Sequence, residues 1–479
     1  MFLSYAYFYS GGGWNQNSRF DLTRAIVERQ TLQIDAYRSN TSDLAEFNGH
    51  FYTDKAPGAS LTAVPAVAVV RWLLEKRGAD LAAPETVADL LYAATVTAAT
   101  LPAVFAALCV YWIGLKQGFG KTASGLGSVV CALGTPFWAY GSILYGHALA
   151  AGCLMGAFFG ASTLGAPSTP VRRATLAFAV GLAAGWAVVA EFPAAAASAV
   201  IVVFACWQVR GLARPGPGAI LGFISLGAGC AAAVLFAYHW AAFGSAFHLG
   251  YLSEVEGFEG MTQGFFGITW PRPRVALSLL FNQHRGLISL APILVVTPVG
   301  LWLLARVQPT RAAAVVAAAV ASGYFVITAG YVYWSGGSSY GPRHLGPALP
   351  FLCLGVAPVW RHASRWARVG ILALATLSAG QTLLAVATDP QPGDFTRPRQ
   401  ELFWPAFASG DFPAGWVSVL GMHEVPASQR QHVPRPSWNL GQRFGLRGHA
   451  SLAPLAAIWL VGAVVWWREG NRRHVGPAS

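Results

Sequence analysis

The sequence predicts an all-α fold: a polytopic transmembrane helix bundle of about 11–13 helices, with interfacial helices in its first outer loop. Three observations carry this. The 479-residue chain is 54% hydrophobic and only 11% charged, whereas a soluble domain carries about 25% charged residues. Its apolar runs are long and closely spaced, and in lipid a backbone must satisfy its own polar groups, which favours helices. Its arginines and lysines gather in the short turns between those runs, as the positive-inside rule requires.

The apolar runs fall near 88–113, 122–139, 146–165, 174–190, 193–209, 217–241, 287–305, 312–333, 345–360, 367–387 and 451–467. Basic turns stand at Lys116/Lys121, Arg172/Arg173, Arg210/Arg214, Arg306/Arg311, Arg361/Arg365/Arg368 and Arg468/Arg472/Arg473. They occupy every second turn, so all can be cytoplasmic together. Segments 11–87, 140–145, 242–286, 334–344 and 388–450 then lie outside, and 468–479 is a cytoplasmic tail, leaving 1–467 as one transmembrane domain. Gly58–Leu74 is apolar too, but Arg71, Lys76 and Arg77 accompany it. If it crossed, every later basic turn would flip outward. It therefore reads as an interfacial or re-entrant segment, the alternative being that 88–139 crosses once or three times. Met1–Tyr9 reads as the outer end of a first membrane helix, too short to span. That implies either a start further upstream or a missing first helix.

In the first outer loop, Ser18–Leu32 reads as a short amphipathic helix in the interface plane. Phe20, Ala25, Ile26 and Leu32 form its apolar side, Arg19, Arg24, Glu28 and Arg29 its polar side, and Asn17 or Ser18 its cap. The last outer loop, 388–450, is rich in Pro, Gly and Trp and lacks periodicity. A long irregular loop of this kind is a common seat of binding.

Composition also excludes functions. The net charge of +12 does not mark a nucleic-acid partner, because the basic residues sit in membrane turns and not in a patch interleaved with base-stacking aromatics. Cys109, Cys131, Cys153, Cys206, Cys230 and Cys353 all lie in apolar runs without a CxxC pair, so they read as small buried hydrophobes and not as disulfides or a metal centre. No P-loop, GxSxG or HExxH occurs, and ATP-driven or serine-hydrolase chemistry has no support.

The polar stretch from Trp14 to Gly58 stands out in so apolar a chain, and acids with a lysine there point to a reactive or phosphate-binding site at the membrane surface. Asp21 can act as a general base toward an acceptor hydroxyl, or can be a solvated acid balancing Arg19 and Arg24. Lys55, in the turn Asp54-Lys55-Ala56-Pro57-Gly58, suits a phosphate, or anchors a helix end by snorkelling. Asp54 is either a second base or the partner of Lys55. Arg343 stands on the outer side beside Tyr340, where the positive-inside rule disfavours it, and an anionic ligand explains it better. Arg285 with His284 is a second outer arginine at a helix start. His147 lies at the outer mouth of a helix and is a ligand or a packed, hydrogen-bonded ring. Glu191, in Ala190-Glu191-Phe192-Pro193, is structural, water-facing or functional with equal claim.

Several of these segments together resemble the GT-C superfamily of polytopic glycosyltransferases, particularly its protein-mannosyltransferase and aminoarabinose-transferase branch. Asn17–Gln33 is similar to the first-loop helix that follows the family's acidic motif. Phe51-Tyr52-Thr53-Asp54-Lys55-Ala56-Pro57-Gly58 is similar to the loop ending in a Lys-Pro-Pro or His-Pro-Pro turn. Thr135–His147 is similar to the second outer loop, and Arg343-His344-Leu345-Gly346-Pro347-Ala348-Leu349-Pro350 to the Arg-Tyr-Leu-x-Pro-x-Leu-Pro segment. The resemblance implies a polyprenyl-phosphate sugar donor, an acceptor (lipid, glycan or protein) at the outer, periplasmic face, and transfer with inversion. It further implies a bacterial inner-membrane location, Lys55 as the phosphate-binding lysine and Arg343 as a second contact. Two departures matter. Asn17 occupies the position of the family's first acid, followed by Ser18, with Asp21 one helical turn later and Asp54 the next choice of base. His147 stands where some members have an acid, so a carboxylate-bound divalent cation stays open and no metal ligands are assigned. Two other readings remain: an O-antigen-ligase-like transferase using His147, His284, Arg285 and Arg343, and a flippase or transporter of lipid-linked glycans.

Overall fold

The computed structural model describes residues 1–212, 215–255, 259–393, 397–413, 415, 417–421 and 436–471. Arg214, the 422–435 part of the last outer loop and 472–479 of the tail lie outside the described residues. The fold is all-α apart from two minute antiparallel ribbons, Phe8–Tyr9 with Trp438–Asn439 and Leu44–Phe47 with His50–Thr53.

Among the described residues, seven helices are long and apolar enough to cross a membrane: Gly58–Lys76, Pro84–Lys116, Pro170–Ala190, Pro217–Phe243, Thr310–Gly330, Arg365–Ala387 and Gly448–Trp466. Ala194–Val209 and Pro292–Arg306 are shorter apolar segments, and Gly146–Thr163 is an enclosed helix at the centre of the bundle. The chain is thus an integral membrane protein. Pro170–Ala190 and Pro217–Phe243 pack along one another over much of their length. A Cβ on Gly181 would stand 1.9 Å from the Ile224 carbonyl oxygen, so only glycine admits this approach. Without a hydrophobic force between helices in lipid, such small-residue contact is what holds them together.

Prolines break two of the expected spans. The 287–305 run becomes Leu287–Leu290, a 3-10 turn at Pro292–Val296 and Thr297–Arg306. The break leaves the Ile293 amide without a helical acceptor, and the Ser378 hydroxyl accepts from it at 3.1 Å. The 345–360 run likewise divides into Arg343–Ala348, Leu349–Cys353 and Val356–His362, with Pro347, Pro350 and Pro358 inside it.

The first outer loop departs from expectation in two ways. Its helix begins earlier, at Trp14, with Gly13 at the N-cap and no side-chain cap from Asn17 or Ser18. It is also not amphipathic: Gln16 through Ala25 are buried on every side. Its polar side chains meet polar partners inside the protein, Thr23 donating to the Ser60 carbonyl and Arg19 to the Ala56 carbonyl. Apolar periodicity therefore says nothing about which side faces what. Met1–Tyr9 forms no long helix among the described residues. A single turn, Phe2–Tyr5, leads into the Phe8–Tyr9 strand, and Tyr5, Tyr7, Phe8 and Tyr9 pack into the main core. The Gly58–Lys76 helix runs beside the Trp14–Arg29 helix, and Arg71 approaches Glu28 at 3.9 Å.

Candidate active site

The ends of several helices and the loops between them enclose a cavity of about 1280 Å³. The first-loop helix presents Asn15, Gln16 and Arg19 to it, and its flanking loop presents Asp43 and Lys55. Tyr145, His147 and Glu191 come from the next outer helix ends, Tyr251 and Glu254 from the 242–286 loop, and Tyr331, Arg343 and His344 from the 331–344 segment. The last outer loop closes the mouth with Asp389, Gln391 and Glu401. Gln16 donates to the Gln391 side chain, tying that loop to the first.

Charges in the wall form two groups. In one, Lys55 reaches Asp43 at 3.1 Å and also pairs with Asp54. Burial works to discharge Lys55, but Asp43 and Asp54 outweigh it and hold its pKa above the ordinary lysine value. Glu254 stands near the same group. Burial first, and the Asp54 charge second, push its carboxyl well above the usual range. In the other group, Glu191 accepts from Arg19 at 2.9 Å and lies 3.5 Å from His147 Nδ1. The His147 ring is edge-on to His344, centroids 5.7 Å apart.

Arg343 lies in this wall with its guanidinium carbon 5.1 Å from the centre of the Tyr145 ring, and its Nε has no protein acceptor. The 336–341 loop holds it in place: a Cβ on Gly336 would touch the Arg343 side chain at 2.9 Å. That loop is in turn fixed by Arg285, which donates to the Ser339 hydroxyl at 3.0 Å and to the carbonyls of Gly337, Ser339 and Gly341. The Tyr145 hydroxyl donates to the Ser338 carbonyl at 2.9 Å.

Of the residues singled out from the sequence, Lys55, Arg343 and His147 line the cavity. Asp21 does not. It faces away with Asn17, is fully enclosed, and accepts from Asn40 at 3.0 Å; burial drives its pKa far up despite that bond. A carboxyl walled off from the cavity cannot take a proton from an acceptor there. Asp54 is buried behind Lys55 and does not line the cavity either. Arg285 is committed to loop carbonyls, His284 is enclosed beside it, and Tyr340 packs edge-on against Phe403, and none of the three lines the cavity. The reading of the sequence passed over Asp43 and Glu254. One signal was available: the chain has only 20 acids, and both of these fall in segments assigned to the outer side.

Glu191 reaches the wall because residue 146 is glycine. A Cβ there would stand 2.3 Å from Glu191 Oε1 and 2.5 Å from the Ala190 carbonyl oxygen. Gly146→Ala is accordingly expected to displace Glu191 from Arg19 and to lower thermal stability by about 1–3 kcal/mol, as overpacking does. Unchanged melting of the purified variant would contradict the contact.

Fold and site together define a polytopic membrane protein with a charged, aromatic-lined cavity at one end of its helices. No protein-family model and no curated protein matches the sequence. Solved structures that match include ArnT from Cupriavidus metallidurans in the apo state, at 16% identity and TM-score 0.46 over 80% of this chain and 62% of that one. ArnT from the same organism bound to undecaprenyl phosphate matches at 15% identity and TM-score 0.51, over 87% of this chain and 67% of that one. The chain therefore spans about two thirds of that protein's length and shares the fold of the undecaprenyl-phosphate-bound structure.

Proposed function

We propose that this chain is a membrane glycosyltransferase that moves a sugar from a polyprenyl-phosphate donor to an acceptor hydroxyl at the outer, periplasmic face of a bacterial inner membrane, with inversion. The observation that carries the reading is the meeting of Lys55, Arg343 and Arg19 with the carboxyls of Asp43, Glu191 and Glu254 in one cavity wall. Cations suit the donor phosphate, a carboxylate suits proton removal from the acceptor, and tyrosines suit sugar faces. That the fold-sharing ArnT structure holds undecaprenyl phosphate supports the donor class.

Asp43 takes the role of base in this reading, replacing Asp21 and Asp54. It lines the cavity and touches Lys55. A donor phosphate entering beside Lys55 competes for the ammonium and loosens its hold on Asp43, which becomes a better base once the donor is bound. Asp43 then takes the acceptor proton, the acceptor oxygen attacks the anomeric carbon, and the bond from that carbon to the phosphate oxygen breaks. The electron pair leaves with the polyprenyl phosphate, whose growing charge is met by Arg343 and Lys55.

The test is incubation of the purified protein in lipid nanodiscs with a panel of polyprenyl-phosphate sugars, followed by measurement of released polyprenyl phosphate. Release with at least one donor is expected. No release with any donor, together with movement of the intact lipid across vesicles, would replace transfer by transport.

A further inference from the structure

Behind the first-loop helix, outside the cavity, three buried side chains leave three oxygen atoms without a partner. They are Asp21 Oδ2, Asn17 Oδ1 and Asn40 Oδ1, and the residues are 0%, 0% and 3% exposed. Asn17 and Asp21 are one helical turn apart on one side of the Trp14–Arg29 helix. Asn40 comes from the 3-10 turn Arg38–Asn40 and donates from Nδ2 to Asp21 Oδ1 at 3.0 Å and to the Val419 carbonyl at 3.0 Å. Asn17 donates from Nδ2 to the Asn40 carbonyl at 2.7 Å and more weakly to the Ser418 carbonyl at 3.4 Å.

These bonds fix which end of each amide is oxygen. Turning either amide over would set its carbonyl against carbonyl or carboxylate oxygens and lose the bonds just named. The cluster is therefore short of donors. One enclosed water donates two hydrogens and cannot serve three acceptors. Asp21 also has no ion-pair partner among the described residues. Arg24, one turn on, pairs with Glu28 at 3.0 Å and lies 4.2 Å over the Tyr37 ring. An enclosed, unpaired carboxylate costs several kcal/mol, and it is tolerated when neutralised or bound to a cation.

We propose that Asp21, Asn17 and Asn40 form a buried, all-oxygen site for a hard monovalent cation of the Na⁺ type, which ties the first-loop helix to the Arg38–Asn40 turn and to the 418–419 segment of the last outer loop. Carboxylate and amide oxygens are the ligands that hard cations select. One carboxylate balances one positive charge, whereas a divalent ion would leave a net charge enclosed in protein. The proposal is independent of the glycosyltransferase reading, because the site is walled off from the cavity and its readout is stability.

The full-length protein is purified in detergent and its unfolding followed in choline chloride, KCl and NaCl at constant ionic strength, with CaCl₂ as a further arm. A cation that binds only the folded state raises the melting temperature with a saturable concentration dependence. The melting temperature is expected to rise by a few degrees in Na⁺ relative to choline, and Asp21→Asn, which keeps the shape and removes the charge, is expected to abolish the rise. Asn17→Ala, which removes one ligand and leaves the carboxylate, is expected to move the half-maximal Na⁺ concentration several-fold higher. Identical melting of the parent protein in all four salts overturns the site and leaves Asp21 as a neutral, protonated acid. A rise that persists in Asp21→Asn overturns it as well. A saturable rise with Ca²⁺ alone overturns the monovalent assignment.

Discussion

Asp43→Asn is expected to abolish sugar transfer almost completely, lowering turnover by about 10²–10⁴-fold, the range of a lost general base. The substitution preserves shape and removes only the charge and the ability to take a proton. Lys55 keeps Asp54 as a partner, so the loop has reason to stay folded and the donor phosphate to bind. The expected signature is a collapse of kcat with donor affinity unchanged or improved, since one carboxylate fewer competes with phosphate for the lysine. Single-turnover measurements with a labelled donor, beside equilibrium donor binding, separate the two. Ordinary turnover by Asp43→Asn would remove Asp43 from the mechanism and pass the role to Glu191, the next carboxylate in the wall.

Arg343→Ala is expected to have the second large effect, lowering kcat/KM by about 10²–10³-fold, comparable to removing one preorganised donor to a developing oxyanion. The guanidinium is fixed over Tyr145, its Nε has no protein acceptor, and burial alone would lower its pKa while Tyr145 and Asp43 keep it charged. Arg343→Lys keeps the charge but loses the planar fork, so it should fall between the parent and the alanine variant. Steady-state kinetics against donor concentration read the effect. Equal kcat/KM for parent and Arg343→Ala would sink the phosphate assignment.

These two residues also show where sequence reasoning reached its limit. Arg343 lines the cavity, and the sequence had singled it out because an arginine in a segment assigned to the outer side contradicts charge bias. Lys55 was legible for a related reason, as a lysine embedded in a polar stretch between apolar runs. Asp21 stands in the same polar stretch. It differs only in direction: the first-loop helix puts Asn15, Gln16 and Arg19 toward the cavity and Asn17 and Asp21 toward the opposite side. A helix whose whole circumference is buried has no wet face to mark its register, so periodicity could not separate the two sides. Arg285, with a somewhat weaker claim than Arg343 from charge bias, is instead engaged by four acceptors of the 336–341 loop.

Composition, apolar run length and the placement of basic turns were enough by themselves to determine a polytopic helical membrane protein. Those quantities are set by transfer between water and lipid, and such transfer depends on residue type and not on neighbours. Only the tertiary structure decided which acids face the cavity. Asp43, Glu191 and Glu254 lie far apart in the chain, and each reaches the wall through a loop or helix end whose direction depends on packing. Carboxylate roles depend on burial and on neighbouring charge, and both are properties of the assembled fold.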